Sequence, residues 1–301
     1  MISVCIPIYN YYTYPLVRRL VNQAKLHKVD IEVVCIDDHS SGYYQNQNKG
    51  IAEIARYLTL GENIGRARIR NLFLKYTQGE YLLFLDCDSV VPDNFLKIYS
   101  RHVGIDTQVI VGGRVYDDRG NDQEHRLRYL YGTKVESQPA ARRKQHPYRS
   151  FMTNNFIISR ELFEKVRFDE RITKYGHEDT LFGYALEQRK VRVQHIDNAV
   201  VNGQVEDNAE FLHKTIEAVE NLAQIYDFMW EDQRFCQTVS LLRAYGRVRR
   251  MGMVKLVYRL YRMMKSPMES HFVSGNAISL KQFSFYKLGV FIGKVHYFDQ
   301  K

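Results

Sequence analysis

The sequence predicts an α/β fold: a parallel sheet covered by helices on both faces, followed by a helical, basic carboxyl-terminal extension. Short, continuously apolar runs at Ile2–Ile8, Ile31–Ile36 and Tyr81–Leu85 are separated by segments of helical periodicity. Strands joined by helices in this way imply a parallel sheet buried on both sides. Past residue 205 the spacing reads as helical, and eight basic residues fall between Arg243 and Lys265 with no acid among them.

Taken in order, Ile2–Ile8 is a β-rich run interrupted by Pro7. Tyr14–Lys28 places Leu16, Leu20, Val21 and Ala24 at helical spacing. Ile31–Ile36 is a second buried strand and ends at Asp37-Asp38-His39-Ser40. Ile51–Arg56 reads as helical and Tyr57–Leu60 as a short strand. Gly65–Gln78 reads as a helix, with Gly79 suited to its C-cap. Tyr81–Leu85 is a third strand running into Asp86-Cys87-Asp88, and Val109–Gly113 is a further strand and turn. Asp117–Ser150 is polar and Arg-rich and reads as a loop or helix-bearing excursion over a site. Order resumes at Phe151–Ser159, with helices at Glu161–Val166 and Thr180–Gln188. Asn208–Trp230 is an amphipathic helix, with Phe211, Leu212, Ile216, Val219, Leu222, Ala223 and Tyr226 spaced by three and four.

The 301 residues suffice for one large domain or a domain with an appendage. The chain is 45% apolar and 26% charged, an ordinary globular balance. Its four cysteines form no CxxC pair, so neither a zinc site nor a disulfide framework is indicated; they read as free thiols in a reducing compartment. The amino terminus has no basic n-region, and no apolar run approaches the roughly 20 residues of a membrane helix, so a cytoplasmic protein is expected. The net charge of +9 is concentrated in Arg243–Lys265, which points to an anionic partner. No nucleic-acid recognition motif accompanies it. Leu256, Leu260 and Met264 recur every four residues there, with Arg259, Arg262 and Lys265 between them. That pattern suits either an interfacial helix on an anionic membrane or a solvated helix docked on the rest of the chain.

Ligands of such sheets bind beyond the carboxyl ends of the strands, and both acidic groups, Asp37-Asp38 and Asp86-Cys87-Asp88, fall there. If their strands are neighbours, one crevice receives both. Hard cations such as Mg²⁺ or Mn²⁺ take oxygen ligands and bridge carboxylates to phosphates, which suits Asp86 and Asp88; a solvated turn is the plainer reading. Glu178-Asp179, at a loop-to-helix junction, reads by itself as a helix start.

The motifs carry a resemblance. Ser3-Val4-Cys5-Ile6-Pro7-Ile8-Tyr9-Asn10 resembles the opening strand of the inverting GT-A glycosyltransferases of family 2. Glu32–Ser40 is similar to that family's second strand, Asn63-Ile64-Gly65 with Arg70-Asn71 to its NxG…ARN segment, and Gly79–Asp88 to its GEYIxFLDxD strand. Phe168-Asp169-Glu170 and Gly176-His177-Glu178-Asp179 match its FDE…GxED block, and the Gly-His-Glu-Asp-Thr form looks most like a bacterial branch. Order and spacing hold from about residue 2 to about residue 182.

The resemblance implies a GT-A (Rossmann-like) catalytic domain over about 1–205, with a nucleotide-binding half to about 115 and an acceptor half to 205. The helical extension would occupy 206–301. It implies a nucleotide-sugar donor, uridine-linked, and a saccharide or lipid-linked acceptor in surface-glycan synthesis. Pro7 and Tyr9 would line the nucleotide pocket, and Asp38 would accept from the base, with an Asx-turn the better reading for Asp37. Arg70 would lie near base or diphosphate, in competition with Arg66 and Arg68. Asp86 would approach ribose and metal, and Asp88 would ligate the metal, Mn²⁺ or Mg²⁺. Asp179 would be the base for the acceptor hydroxyl and Glu178 would orient the acceptor. Asn155, with its neighbour Asn154, would lie near the sugar or be a turn residue; His177 and His195 would be phosphate or metal contacts or simply structural. Where metal-binding members carry a further His, this chain reads Val200-Val201-Asn202-Gly203, and Asn202 is a poorer ligand. Cys87, inside the triplet, would be open to thiol reagents. A nucleotidyltransferase is the competing enzyme class, but Tyr9-Asn10-Tyr11-Tyr12 stands where its Gly-rich phosphate loop belongs. A non-catalytic sugar- or membrane-binding protein of the same fold is the other alternative.

Overall fold

The computed structural model describes residues 1–104, 106–118, 121–203 and 205–296. In chain order the elements begin β1 (Ile2–Ile8), α1 (Tyr14–His27), β2 (Ile31–Asp37), α2 (Gly42–Asn48), β3 (Arg56–Thr59), α3 (Arg66–Tyr76) and β4 (Tyr81–Leu85). Next come β5 (Ser89–Val90), α4 (Phe95–His102), β6 (Val109–Val111), β7 (Arg114–Val115), α5 (Arg126–Tyr131), α6 (Ala140–Arg143), β8 (Asn155–Ser159), α7 (Arg160–Lys165) and α8 (Glu178–Gln188). The chain continues through β9 (Val193–His195), β10 (Val200–Asn202), α9 (Asn208–Met229), α10 (Gln233–Thr238), α11 (Ser240–Arg250), α12 (Val254–Ser274) and α13 (Leu280–Val295). The described residues fall into two compact units. Met1–Tyr116, Glu136–Thr173 and Glu178–Gln204 form the first; Asp117–Val135, Lys174–His177 and Val205–Lys301 form the second.

The first unit is built on a seven-stranded sheet in the order β3-β2-β1-β4-β8-β6-β9, with a small sheet β5-β10-β7 beside it. Period-two alternation sends successive side chains to opposite faces. Val4, Ile6, Leu83 and Leu85 pack with Leu16, Val17, Leu20, Phe95 and Leu96 from α1 and α4. Cys5, Val34, Ile36, Leu82 and Phe84 pack on the other face with Phe73, Phe163 and Phe182 from α3, α7 and α8. Both faces are dry, so the strands read as apolar throughout. Phe84 stacks on Phe156 at 4.9 Å and Phe168 on Phe182 at 4.3 Å between ring centroids.

The sheet is mixed rather than purely parallel, which corrects the sequence expectation. β8 pairs antiparallel with both β4 and β6, its Asn155 opposite Leu85. The chain enters β8 at the carboxyl edge of the sheet, so the residues just before it arrive beside Asp86. Gly79 is a second correction. The helix before it ends at Tyr76, and Gly79 is needed instead for close approach: its N–H donates to Ser3 Oγ at 2.8 Å, and a Cβ there would lie 2.7 Å from the Ser3 nitrogen. Ile51–Arg56, read as helical, is a 3₁₀ segment over Lys49–Glu53 followed by β3.

The polar stretch 117–150 holds α5 and α6, with residues 119 and 120 outside the described set. Part of its arginine content is structural: buried Arg143 donates to the carbonyls of Val111 (3.1 Å), Gly112 (2.9 Å), Gln138 (3.0 Å) and Ile196 (2.7 Å).

In the second unit α12 and α13 pack through Tyr261, Phe272, Phe283 and Tyr286, with Tyr261–Tyr286 ring centroids 5.7 Å apart. Gly289 lets α13 approach the Tyr261 ring, which a Cβ would overlap. Asp207 caps α9 by accepting from Glu210 N at 2.8 Å. The basic segment forms the end of α11, a turn at Gly252 with φ +70°, and the first half of α12. Among the described residues no helix is long and apolar enough to cross a membrane.

Candidate active site

β1, β2 and β4 run parallel and end at one edge, where Ile8, Asp37 and Leu85 hand over to loops. β1 lies between the other two, so Asp38 and Asp86 flank its end, about 10 Å apart across two strand spacings. Asp37 is a turn residue as expected: it accepts from Ser40 N at 2.6 Å and Tyr57 Oη at 2.9 Å. Asp38 accepts from the amides of Ile64 (2.7 Å) and Gly65 (3.1 Å), fastening the loop that opens α3. Gly65 stands at φ +82°, a conformation glycine adopts without strain. Burial raises the Asp38 pKa despite those two bonds. Pro7 lies in β1 opposite Ile36, and Tyr9, just past the strand, is exposed.

Asp86 is held by arginines. Arg70 Nη2 donates to Oδ1 at 2.9 Å, while Arg114 Nη2 (3.4 Å) and Arg66 Nη2 (3.7 Å) approach Oδ2. Burial works to raise the Asp86 pKa, but these three guanidinium groups outweigh it and hold the carboxyl below its usual value. Arg70 is itself fully buried and braces Asp86.

The same two helix α3 arginines reach the second acidic motif. Arg66 Nε donates to Glu178 Oε1 at 2.6 Å, and Arg70 Nη1 lies 3.9 Å from it. Arg66 and Arg70 are one helical turn apart, so both face the same side of α3. Glu178 is buried and paired with these arginines, which keeps it ionised. Asp179, next in α8, accepts from Thr180 N at 2.7 Å. Burial first, and then the Glu178 charge, pushes its pKa up to about 6. A carboxylate tuned there is suited to general-base work near neutral pH.

Asp88 is joined to β10. Its carbonyl accepts from Gly203 N at 2.9 Å, and Ser89 pairs with Asn202, so Asn202 stands one residue from Asp88 across the small sheet. Among the described residues no three His, Cys, Asp or Glu side chains converge to hold a metal. The donor set is nonetheless hard: a carboxylate at Asp88 beside an Asp86 already matched by arginines. It fits Mg²⁺ or Mn²⁺ provided that a ligand's phosphate oxygens fill the remaining positions. Burial, then the Asp88 and Asp86 charges, pushes the Cys87 pKa up to about 12, which disfavours its thiolate form.

Asn155 and His195 are both taken up inside the protein, the structural alternative that the sequence left open for His195. Asn155 is fully used by the protein: it accepts from Tyr99 Oη at 2.7 Å and donates to the carbonyls of Gly113 (2.9 Å) and Asn198 (2.8 Å). Its parity in β8 is that of Ile157, which faces the α1 and α4 core. His195 is buried, accepting from Arg143 at 2.9 Å and donating to Pro147 O at 2.9 Å. Burial lowers its pKa to about 4, so it is a neutral structural residue. His177 falls in the second unit, in the left-handed region at φ +66°.

Of the Asn154-Asn155 pair, Asn154 is the one whose side chain the protein leaves unpartnered. It is 3% exposed, its carbonyl accepts from Asp86 N at 3.2 Å, and neither side-chain amide atom has a partner. Ser89 Oγ and Arg114 Nε, on either side of the acidic triplet's partners, are buried without partners too. Buried orphaned polar groups require a reason, and a bound ligand is one. Arg114 went unread; β7 delivers it.

The model of Glycosyl transferase family 2 matches residues 3–167. The chain belongs to that family. This family 2 chain is 27% identical over 207 residues to the minor teichoic acid biosynthesis protein GgaB of Bacillus subtilis (strain 168), covering 62% of this chain and 21% of that protein. It is 24% identical over 208 residues to the glycosyltransferase GlyG of Streptococcus pneumoniae serotype 4, covering 64% and 67%. The chain thus spans about a fifth of the first relative and two thirds of the second. The mannosyltransferase PcManGT from Pyrobaculum calidifontis, solved with GDP-Man and Mn²⁺, superposes with a TM-score of 0.61 at 16% identity, over 100% of this chain and 87% of that one. The family 2 chain therefore has the GT-A fold with a helical carboxyl-terminal region.

In a ¹³C-carboxyl NMR titration, Asp179 should give a midpoint near pH 6. Glu178→Gln should lower that midpoint, since it removes the neighbouring negative charge; an unchanged midpoint would break the assigned cause. Asn155→Ala should destabilise the protein by about 3 kcal/mol, one for each of its three hydrogen bonds. Asn154→Ala, which loses no side-chain hydrogen bond and removes two buried unpartnered atoms, should leave urea stability equal or higher, by up to about 2 kcal/mol.

Proposed function

We propose that the protein is an inverting glycosyltransferase that moves a sugar from a nucleoside diphosphate sugar to an acceptor hydroxyl. The observation that carries this reading is the pairing, through Arg66 and Arg70, of the acidic triplet at the β4 end with the helix start that bears Asp179. One end of that arrangement suits a leaving diphosphate, and the other suits proton removal.

Asp179, with a pKa of about 6, takes the proton from the acceptor hydroxyl as that oxygen attacks the anomeric carbon. The bond to the diphosphate breaks on the opposite side, which gives inversion. Asp88 and Asp86 would hold a divalent cation, Mn²⁺ or Mg²⁺, which when bound neutralises charge on the departing diphosphate. Arg114 and the exposed part of Arg66 add fixed positive charge beside it. Asn154, whose two amide atoms have no partner in the protein, would bond sugar hydroxyls. Tyr9 and Pro7 line the nucleotide's approach, and Asp38 retains lone pairs for a base N–H.

The donor proposed is uridine-linked and the acceptor a saccharide or lipid-linked saccharide of a surface glycan. Two relatives support the acceptor class: one is a minor teichoic acid biosynthesis protein and another is a poly(ribitol-phosphate) β-N-acetylglucosaminyltransferase of Staphylococcus aureus. Such a reaction belongs on the cytoplasmic side, where nucleotide sugars are made.

A panel of UDP- and GDP-sugars with and without Mn²⁺ tests the reading. One donor should be turned over. Asp179→Asn should lower kcat by about 10²–10⁴-fold with donor affinity kept, and Asp88→Ala should abolish metal-dependent turnover. If no donor is bound or hydrolysed and Asp88→Ala changes nothing, the reading fails. Metal-independent donor binding without turnover would instead support a non-catalytic protein.

A further inference from the structure

The exposed half of α12 carries two parallel stripes. Leu256, Leu260 and Met263 recur at i, i+4 and i+7 on the side away from the packed residues Tyr261, Met268 and Phe272. These three are 50%, 44% and 71% exposed, large values for apolar side chains. Lys255, Arg259 and Arg262 recur at the same spacing and lie along one flank of the apolar stripe. The turn before α12 adds Met251 at 62% and Met253 at 39% exposure, and α11 ends with Arg247, Arg249 and Arg250. No acid occurs from Arg243 to Lys265.

We propose that this face of α12, with the Met251–Met253 turn, docks on an anionic lipid bilayer. Flexible apolar side chains beside a row of long cationic ones are the make-up of a helix lying in the membrane interface. The leucines and methionines enter the headgroup–acyl boundary, while lysine and arginine extend to lipid phosphates. Antiparallel self-association is disfavoured by the same charges, since that two-fold contact would set one cationic row against its copy. A polyanion such as nucleic acid would match the cations but leave the apolar stripe in water. The inference rests on the second unit alone, so it stands or falls independently of the chemistry proposed for the first.

Flotation of the full chain with vesicles of equal phosphatidylglycerol and phosphatidylcholine, against pure phosphatidylcholine, tests it. Binding should require phosphatidylglycerol and weaken with salt. Lys255→Ala with Arg259→Ala should weaken partitioning about 30-fold, ~5-fold per cation. Leu260→Ser with Met263→Ser should weaken it at least about tenfold, and Leu260→Met alone should retain binding. All these sites are exposed, so circular dichroism should be unchanged in every variant. The proposal is overturned by absence of binding to phosphatidylglycerol vesicles, or by binding that the serine pair leaves intact while the alanine pair removes it. A lipid-free dimer abolished by the serine pair, without vesicle binding, overturns it equally.

Discussion

Arg70 is a guanidinium group buried in the first unit, and the site depends on how its charge is matched. One face of it meets Asp86 at 2.9 Å and the other approaches Glu178 at 3.9 Å, while Arg66, one helical turn earlier, bridges the same two acids. A buried charge left unpaired costs several kcal/mol, so neither acid can drift without exposing that cost. The strand end that carries the acidic triplet and the helix start that carries Asp179 are thereby fixed to one helix. The pairing also separates two adjacent carboxyls: Glu178 stays ionised because it is paired, and its charge helps to keep Asp179 within reach of a proton near neutral pH.

Sheet direction completes the site. Because β8 runs against β4, Asn154 arrives beside Asp86 with an amide that the protein does not use. The small sheet does the same for the other half of the triplet: β10 brings Gly203 to Asp88, and a Cβ on that glycine would collide with the Asp88 carbonyl. The acids are therefore set in position by backbone pairing on one side and by arginines on the other.

Much of this was legible in the sequence. Strands β1, β2 and β4 are continuous apolar runs because both faces of the sheet are dry, and the acids follow directly at their ends. The direction of β8 was not legible, since pairing sense leaves no trace in local periodicity. The sequence put Asn154 and Asn155 forward together for the sugar; strand parity with Ile157 points Asn155 at the α4 core and leaves Asn154 as the candidate. The arginine brace was hidden because Arg66 and its partner Glu178 lie 112 positions apart, and several arginines competed for any role. Gly79 looked like a helix cap because a glycine needed for close approach and one needed for a turn are the same letter.

The brace is tested most directly by a double-mutant cycle on Asp86→Asn and Glu178→Gln, read as hydrogen-exchange protection of the α3 amides. The two acids share their guanidinium partners. Either single change leaves Arg70 with one carboxylate, and both together leave it buried and unmatched. The double variant should therefore lose more protection than the sum of the singles, by at least about 1 kcal/mol. Additivity within about 0.5 kcal/mol would mean that the two acidic motifs are held independently.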